Sequence, residues 1–231
     1  MSVLPRDVTG SKKRSEAILI EHADGVLEGV ISLVDKVNQP GLVLCHPHPL
    51  MGGSMEDSRI VTLSNAAVSA GINTLRFNFR GVGRSQGRFG QGIGEIQDTI
   101  GAMDYLRKHA HTDNTRIGLL GYSFGGSIAL AAAMDASPAA LVTISASFRI
   151  ADLDPALVSD ALRFVSCPTY VVHGREDRTI NPVEAEAIYA KLQVKEKYLR
   201  LIKGANHFWT QRMDAIVPMI IAFLRDKFQM R

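Results

Sequence analysis

The stretch that decides the fold of this chain is Gly121-Tyr122-Ser123-Phe124-Gly125-Gly126. It follows the apolar run Ile117–Leu120 and precedes the alanine-rich stretch Ser127–Met134, so we predict a strand that turns sharply into a helix. Small residues let the strand and the helix approach closely, and the turn exposes Ser123 at the helix N-terminus. Free N–H groups at such a terminus can receive a negatively charged oxygen. The pattern therefore indicates a catalytic serine rather than a tight structural turn.

Strands and helices alternate along the rest of the chain, without repeats or low-complexity linkers. The predicted strands are Ala17–Glu21, Leu27–Val34, Leu42–Cys45, Ile72–Phe79, Ile117–Leu120, Ala140–Ser145, Thr169–His173 and Tyr198–Ile202. The predicted helices are Met55–Ala70, an amphipathic helix with Ile93, Ile96, Ile100, Met103 and Leu106 as its buried stripe, Phe124–Met134, Pro182–Gln193 and Gln211–Lys227. This alternation predicts an α/β fold in one domain, residues 1–231. Its mostly parallel sheet of about eight strands is covered by helices on both faces, with an antiparallel hairpin at one edge.

Composition excludes several classes of protein. The chain of 231 residues is 46% hydrophobic and 21% charged, which is typical of a globular domain. The net charge is only +3 and the one basic run, Lys12-Lys13-Arg14, reads as a solvated arm, so we expect no nucleic-acid partner. The first 30 residues carry several charges and no long apolar stretch, so we expect no signal peptide. No apolar run reaches about 18 residues, so we also expect no membrane partner. The two cysteines, Cys45 and Cys167, are expected to be reduced and buried in a cytoplasmic protein.

Two residues beyond the ends of later strands complete a candidate catalytic set with Ser123. A serine hydroxyl becomes a good nucleophile when an imidazole accepts its proton, and that imidazole needs an acceptor on its other nitrogen. His207 is the candidate base and Asp177 the candidate acid, and the order Ser, Asp, His along the chain fits a known arrangement. His173 is expected only to close a strand and pack. The alternatives for the acid are Glu176, Asp152 and Asp154.

Four stretches carry a resemblance to the α/β-hydrolase superfamily, over nearly the full length of the chain. Besides the segment around Ser123, which resembles the family's nucleophile elbow, they are Val172-His173-Gly174-Arg175-Glu176-Asp177, Lys203-Gly204-Ala205-Asn206-His207-Phe208 and Phe77-Asn78-Phe79-Arg80-Gly81-Val82-Gly83-Arg84-Ser85. In the last of these Asn78 stands where the family usually has aspartate. The segment Cys45-His46-Pro47-His48-Pro49-Leu50-Met51-Gly52-Gly53 resembles a subgroup of small bacterial predicted serine hydrolases with a His-Pro-His-Pro oxyanion loop.

The resemblance implies an α/β-hydrolase fold with a minimal lid, because the segment between the sixth and seventh strands is short. It also implies an oxyanion hole built from two backbone N–H groups, those of Phe124 and His48, with Leu50 as second choice for the latter. Pro47 and Pro49 have no N–H to offer. We do not assign a metal site to His46 and His48, since no third ligand is spaced for zinc, and we expect no cofactor.

The predicted function is that of a serine hydrolase acting on acyl esters, a carboxylesterase of the EC 3.1.1 class, through an acyl-enzyme on Ser123. The predicted partner is a small-molecule acyl substrate. A thioesterase, amidase or peptidase could use the same triad. A lyase or transferase on these residues and a non-catalytic α/β-hydrolase scaffold used for binding are further alternatives. The acyl group, the leaving group and the oligomeric state are not fixed by the sequence.

Overall fold

The structure is a computed structural model that describes residues 14–148 and 155–230. The strands are β1 Arg14–His22, β2 Gly25–Leu33, β3 Gln39–Cys45, β4 Asn73–Phe77, β5 Thr112–Tyr122, β6 Ala140–Ile144, β7 Thr169–Gly174 and β8 Lys197–Ile202. The helices are α1 Ser58–Ser69, α2 Ile93–Lys108, α3 Phe124–Ala136, α4 Pro155–Ala161, α5 Val183–Lys191 and α6 Met213–Lys227. A short 3₁₀ turn, Pro49–Met51, follows β3.

The eight strands form one sheet in the order β1-β2-β4-β3-β5-β6-β7-β8. The hairpin β1–β2 and its pairing with β4 are antiparallel, and all other neighbours are parallel, as predicted. The chain runs from β3 to β4 on one side and then returns to place β5 on the other side of β3. Open α/β sheets bind ligands at such a switch point, beyond the carboxyl ends of the two central strands. Here those ends are adjacent, because Cys45 pairs with Gly121.

Helices cover both faces of the sheet. The hydrophobic core therefore consists of two clusters, one on each face. One face carries α2, α3 and α5, and its cluster includes Phe77, Met103 and Ile128. The other carries α1 and α6, with Ile60 and Ile220 in its cluster. Both cysteines are free and buried, as expected. Burial raises the pKa of the Cys45 thiol to about 12 and that of Cys167 to about 11, so both thiols stay protonated.

The predicted buried stripe of α2 is partly wrong. Ile93 is 63% exposed, whereas the carboxylates of Glu95 and Asp98 are buried on the face toward the sheet. Glu95 accepts the backbone N–H groups of Gly90 and Gly92, which precede the helix. Asp98 accepts the backbone N–H and the guanidinium of Arg80. Buried carboxylates are tolerated when they are paired in this way, and hydrophobic periodicity cannot reveal such partners.

The segment between β6 and β7 contributes the seven-residue α4 to the described part of the chain, and no lid-like extra domain stands there. The basic arm around Lys12 lies outside the described residues. The predicted helix that starts at Pro182 begins one residue later, and Pro182 is the N-cap residue of α5. Within the described ranges, no helix combines the length and the apolar character needed to cross a membrane.

Candidate active site

The turn between β5 and α3 holds Ser123 in a strained conformation. Its backbone dihedrals are φ 55° and ψ −124°, a region that residues with a Cβ rarely adopt. The turn is fixed because the N–H of Ser123 donates to the Ile144 carbonyl of β6 (2.8 Å), and the Ser123 carbonyl accepts from Gly126 (2.9 Å). A Cβ on Gly121 would overlap the Gly125 carbonyl, and a Cβ on Gly125 would overlap those of Cys45 and His46. The sequence requirement for glycine at both positions is therefore steric.

Ser123, His207 and Asp177 come together at the carboxyl ends of β5, β8 and β7. The Oγ of Ser123 lies 3.0 Å from Nε2 of His207, and Nδ1 of His207 lies 2.8 Å from Oδ2 of Asp177. All three side chains are buried or nearly so. A carboxylate on Nδ1 fixes the proton there, which leaves Nε2 free to accept the hydrogen of the serine hydroxyl. The arrangement can therefore remove a proton from Ser123.

The carboxylate of Asp177 is held by four hydrogen-bond donors. Its Oδ1 accepts the backbone N–H groups of Thr179 (2.9 Å) and Ile180 (2.8 Å). Its Oδ2 faces Nδ1 of His207 and also lies 3.2 Å from Nε2 of His173. Burial by itself would raise the pKa of Asp177, but the bonds from His173, His207 and the Ile180 N–H outweigh it and hold the pKa well below its usual range. Asp177 is therefore ionised in the folded protein.

The loop that carries His207 is anchored by residues that sequence reasoning did not single out. The Tyr122 hydroxyl donates to the His207 carbonyl (2.8 Å), and burial raises the pKa of Tyr122 to about 12, which keeps this donor protonated. The guanidinium of Arg59 packs over the Tyr122 ring and donates to the Phe208 carbonyl (3.3 Å). Asp57 in turn pairs with Arg59. The sequence offers one indication of this network, which is that Tyr122 directly precedes Ser123.

The loop after β3 faces the N-terminus of α3. The His48 ring packs between the rings of Phe89 and Phe124, with centroid distances of 5.1 and 4.8 Å. Within the described residues, no hydrogen bond uses the backbone N–H of either His48 or Phe124. The N–H of Leu50 is different, because it donates to Nδ1 of His48 (3.2 Å). Of the two predicted loop donors, His48 is thus the one whose N–H is available.

His46 and Asn78 fix this loop to the end of β4. Nδ1 of His46 bonds the Pro47 carbonyl (2.6 Å), and its Nε2 accepts the Phe79 N–H (3.1 Å). Burial lowers the pKa of His46 to about 4. Asn78 accepts the Met55 N–H (2.8 Å) and donates to the carboxylate of Glu28 (2.9 Å). An aspartate could not make that donation, which accounts physically for asparagine at this position.

A cavity of about 340 Å³ opens onto Ser123 and His207. Its other walls include Pro47, His48, Met51, Gly52, Arg59, Phe124, Ile180 and Phe208. Met51 and Phe208 are both strongly exposed, so the mouth of the cavity is apolar. A larger cavity of about 640 Å³ lies between the end of β1 and α2, but its described lining contains neither serine nor cysteine. The smaller cavity is therefore the candidate substrate site.

Of the three alternatives for the catalytic acid, the structure describes only Glu176. The carboxylate of Glu176 accepts the Gly204 N–H (2.7 Å), and no contact between Glu176 and His207 occurs among the described residues. Asp152 and Asp154 lie outside the described residues. His173 packs in the core, as predicted, but it also contacts Asp177, which the sequence alone did not indicate. No group of three or more potential metal ligands occurs within residues 14–148 and 155–230.

The sheet order and the serine at the β5–α3 turn define an α/β hydrolase of the serine hydrolase type. The family described as X-Pro dipeptidyl-peptidase (S15 family) matches residues 35–160, more than half of the chain, and the chain belongs to that family. An uncharacterized protein of Rickettsia prowazekii is 27% identical over 208 residues, which cover 87% of this chain and 85% of that protein.

Two solved structures are similar over almost the whole chain. An α/β serine hydrolase homologue from Coxiella burnetii is 28% identical, with a TM-score of 0.78, and the match covers 96% of this chain and 100% of that one. An α/β serine hydrolase without a lid from Xanthomonas campestris is 25% identical, with a TM-score of 0.75, over 98% of this chain and 97% of that one. These likenesses agree with the observed fold, whose described residues form no lid-like domain.

Proposed function

We propose that this protein hydrolyses small acyl esters through an acyl-enzyme formed on Ser123. The observation that carries the proposal is the continuous hydrogen-bonded series Ser123–His207–Asp177 at the wall of an open cavity. In the proposed reaction Oγ of Ser123 attacks the ester carbonyl while Nε2 of His207 accepts its proton. Asp177 orients the imidazole and stabilises its cationic form. The proton then passes to the leaving alcohol, and a water activated by His207 releases the acid.

The negative oxygen of the tetrahedral intermediate would be held by the backbone N–H groups of Phe124 and His48. Both are free of other partners in the described part of the chain, and the contact of Gly125 with the Cys45 and His46 carbonyls brings the two segments together. Such donors contribute several kcal/mol to catalysis when they point at the developing charge, roughly 3–4 kcal/mol for one donor. The proposal needs no cofactor.

The cavity favours small, uncharged acyl groups. Its volume of about 340 Å³ lies near the lower end of the range for ligand sites, roughly 300–1,000 Å³, and its mouth is apolar. We expect kcat/KM on p-nitrophenyl esters to be highest for short acyl chains, without activation by micelles.

The family match makes an X-Pro dipeptidyl peptidase the second candidate. A dipeptidyl peptidase has to bind the ammonium group of a peptide N-terminus, for which a free carboxylate is the ordinary partner. Asp57 is the only acidic residue in the described cavity lining, and Arg59 already occupies it. This pairing favours the ester over the dipeptide.

The two candidates are separated by a substrate panel. Rates should be measured on p-nitrophenyl esters, on thioesters of matched chain length and on X-Pro p-nitroanilides, each with Ser123→Ala as control. A fluorophosphonate probe should add one adduct to the intact mass of the wild type and none to that of Ser123→Ala. A preference for the X-Pro substrates would replace the esterase by the peptidase. Labelling that persists in Ser123→Ala would remove Ser123 from the mechanism.

A further inference from the structure

His173 is a fully buried histidine near the end of β7, and its ring makes two contacts with the loop that carries Asp177. Nε2 lies 3.2 Å from Oδ2 of Asp177 and 3.0 Å from the carbonyl oxygen of Ile180. Both partners are hydrogen-bond acceptors, so Nε2 must carry the hydrogen. Nδ1 is buried and has no hydrogen-bond partner among the described residues. His173 therefore presents Nε2–H as its one engaged donor, to both acceptors.

The contacts of His173 restrain the side chain of Asp177. Oδ1 of Asp177 is held by the backbone N–H groups of Thr179 and Ile180, and Oδ2 lies between Nε2 of His173 and Nδ1 of His207. The Ile180 carbonyl, on the same turn, shares the hydrogen of His173. One N–H group therefore restrains both the carboxylate and the turn that supports it.

We propose that His173 is a positioning residue that holds Asp177 in the orientation in which Oδ2 meets Nδ1 of His207. The proposal rests on the proposed function, because it gives His173 a role only in a reaction that uses the Ser123–His207–Asp177 series. His173 is not part of the described lining of the cavity, so it does not contact the substrate. Its loss should therefore lower kcat and leave KM nearly unchanged.

The proposal is tested with a pair of variants at this position. His173→Gln places an amide N–H at the distance of Nε2 and keeps the donor, whereas His173→Leu has a similar apolar body and no donor. For His173→Leu we expect kcat to fall roughly 10–100-fold, the loss that follows from removing a hydrogen bond to a charged group. His173→Gln should stay within about threefold of the wild type. Urea unfolding of both variants monitors their stability.

The pH profile distinguishes positioning from a purely structural role. Without the donor from residue 173, more of the charge on Oδ2 is available to the His207 imidazolium. The acid limb of kcat/KM should then move to higher pH by about half a unit to one unit in His173→Leu and stay in place in His173→Gln. The other titratable groups near His207, the Arg59–Asp57 pair across the Tyr122 ring, are the same in both variants.

A wild-type measurement keeps the proposal falsifiable if His173→Leu does not fold. Nitrogen-15 spectra of the ring should show His173 in the Nε2–H form, with a signal that shifts in Asp177→Asn. The Nδ1–H form, or a His173→Leu enzyme with wild-type kcat and pH limb, would overturn the proposal. So would a stable His173→Gln as impaired as His173→Leu. A wild type without Ser123-dependent turnover defeats the proposed function instead, and the spectra alone then decide whether His173 holds Asp177.

Discussion

Replacing Ser123 by glycine is expected to leave the protein more stable than replacing it by alanine. At φ 55° and ψ −124° a residue with a Cβ is strained, at a cost of about 1–3 kcal/mol, whereas glycine is not. Glycine also gives the unfolded chain more freedom, which lowers stability by roughly 0.5–1 kcal/mol. The difference should therefore favour Ser123→Gly by about 0.5–2 kcal/mol in the free energy of unfolding.

The comparison isolates the backbone, because both variants lose the hydroxyl and its contact with His207. Urea unfolding gives the free energies, and thermal unfolding should show Ser123→Gly melting higher, by about 2–4 °C for each kcal/mol in a chain of this length. Asn65 supplies the matched control, since it is exposed inside α1. There, Asn65→Gly should be less stable than Asn65→Ala by about 1 kcal/mol.

The sign of the alanine-to-glycine difference is thus expected to reverse between residues 65 and 123. If Ser123→Gly is instead the less stable variant, by an amount similar to that at Asn65, the turn is not strained. The tight β5–α3 geometry would then have to be held without stored backbone energy, contrary to the dihedrals described above.

Two further predictions concern the supports of the site. Gly125→Ala should lose more than about 4 kcal/mol of stability or fail to fold, because its Cβ would overlap two backbone carbonyls. Gly126→Ala, whose Cβ would lie 3.1 Å from both the Ala146 Cβ and the Gly121 carbonyl oxygen, should lose roughly half as much or less in the same urea assay. Burial lowers the pKa of His46 to about 4 from an ordinary 6.5, so between these values the unfolded chain binds a proton that the folded protein does not. The contribution of His46 to wild-type stability should therefore fall by on the order of 3 kcal/mol from pH 6.5 to 4. His46→Gln, which can still accept the Phe79 N–H, should lose correspondingly less stability than the wild type over this range; equal losses would contradict the assignment.

The position of each proposed triad residue could be predicted because strand ends are visible in the sequence. Ser123, Asp177 and His207 each follow an apolar run, and parallel strands bring their carboxyl ends to one edge of the sheet. The antiparallel hairpin and the helices on both faces follow from the same patterns. Hydrophobic patterns depend on neighbouring residues in the sequence. They therefore predict a strand or a helix correctly where those residues alone determine the element.

The predictions were weaker where a side chain depends on a distant partner. The buried face of α2 includes Asp98 because Arg80, far away in sequence, satisfies its carboxylate. The apolar spacing of Ile93 suggested a different face. The sequence indicates only a packing role for His173, because the contact of His173 with Asp177 depends on how the chain turns after β7. The hydrophobic periodicity of one segment does not predict its contacts with another segment.

The partners of the acidic residues determine which charged groups a bound substrate can contact in this site. Asp57 is neutralised by Arg59, Glu176 accepts the Gly204 N–H, and Asp177 is surrounded by four donors. A substrate in the cavity therefore meets no free carboxylate among the described residues, and electrostatic attraction for a cationic group is weak. The Ser123–His207 contact is the place where a proton can move toward a bound molecule. Under the proposed function, we therefore expect selection among substrates to depend on the shape and apolar surface of the cavity, with uncharged acyl groups preferred over peptides with a charged N-terminus.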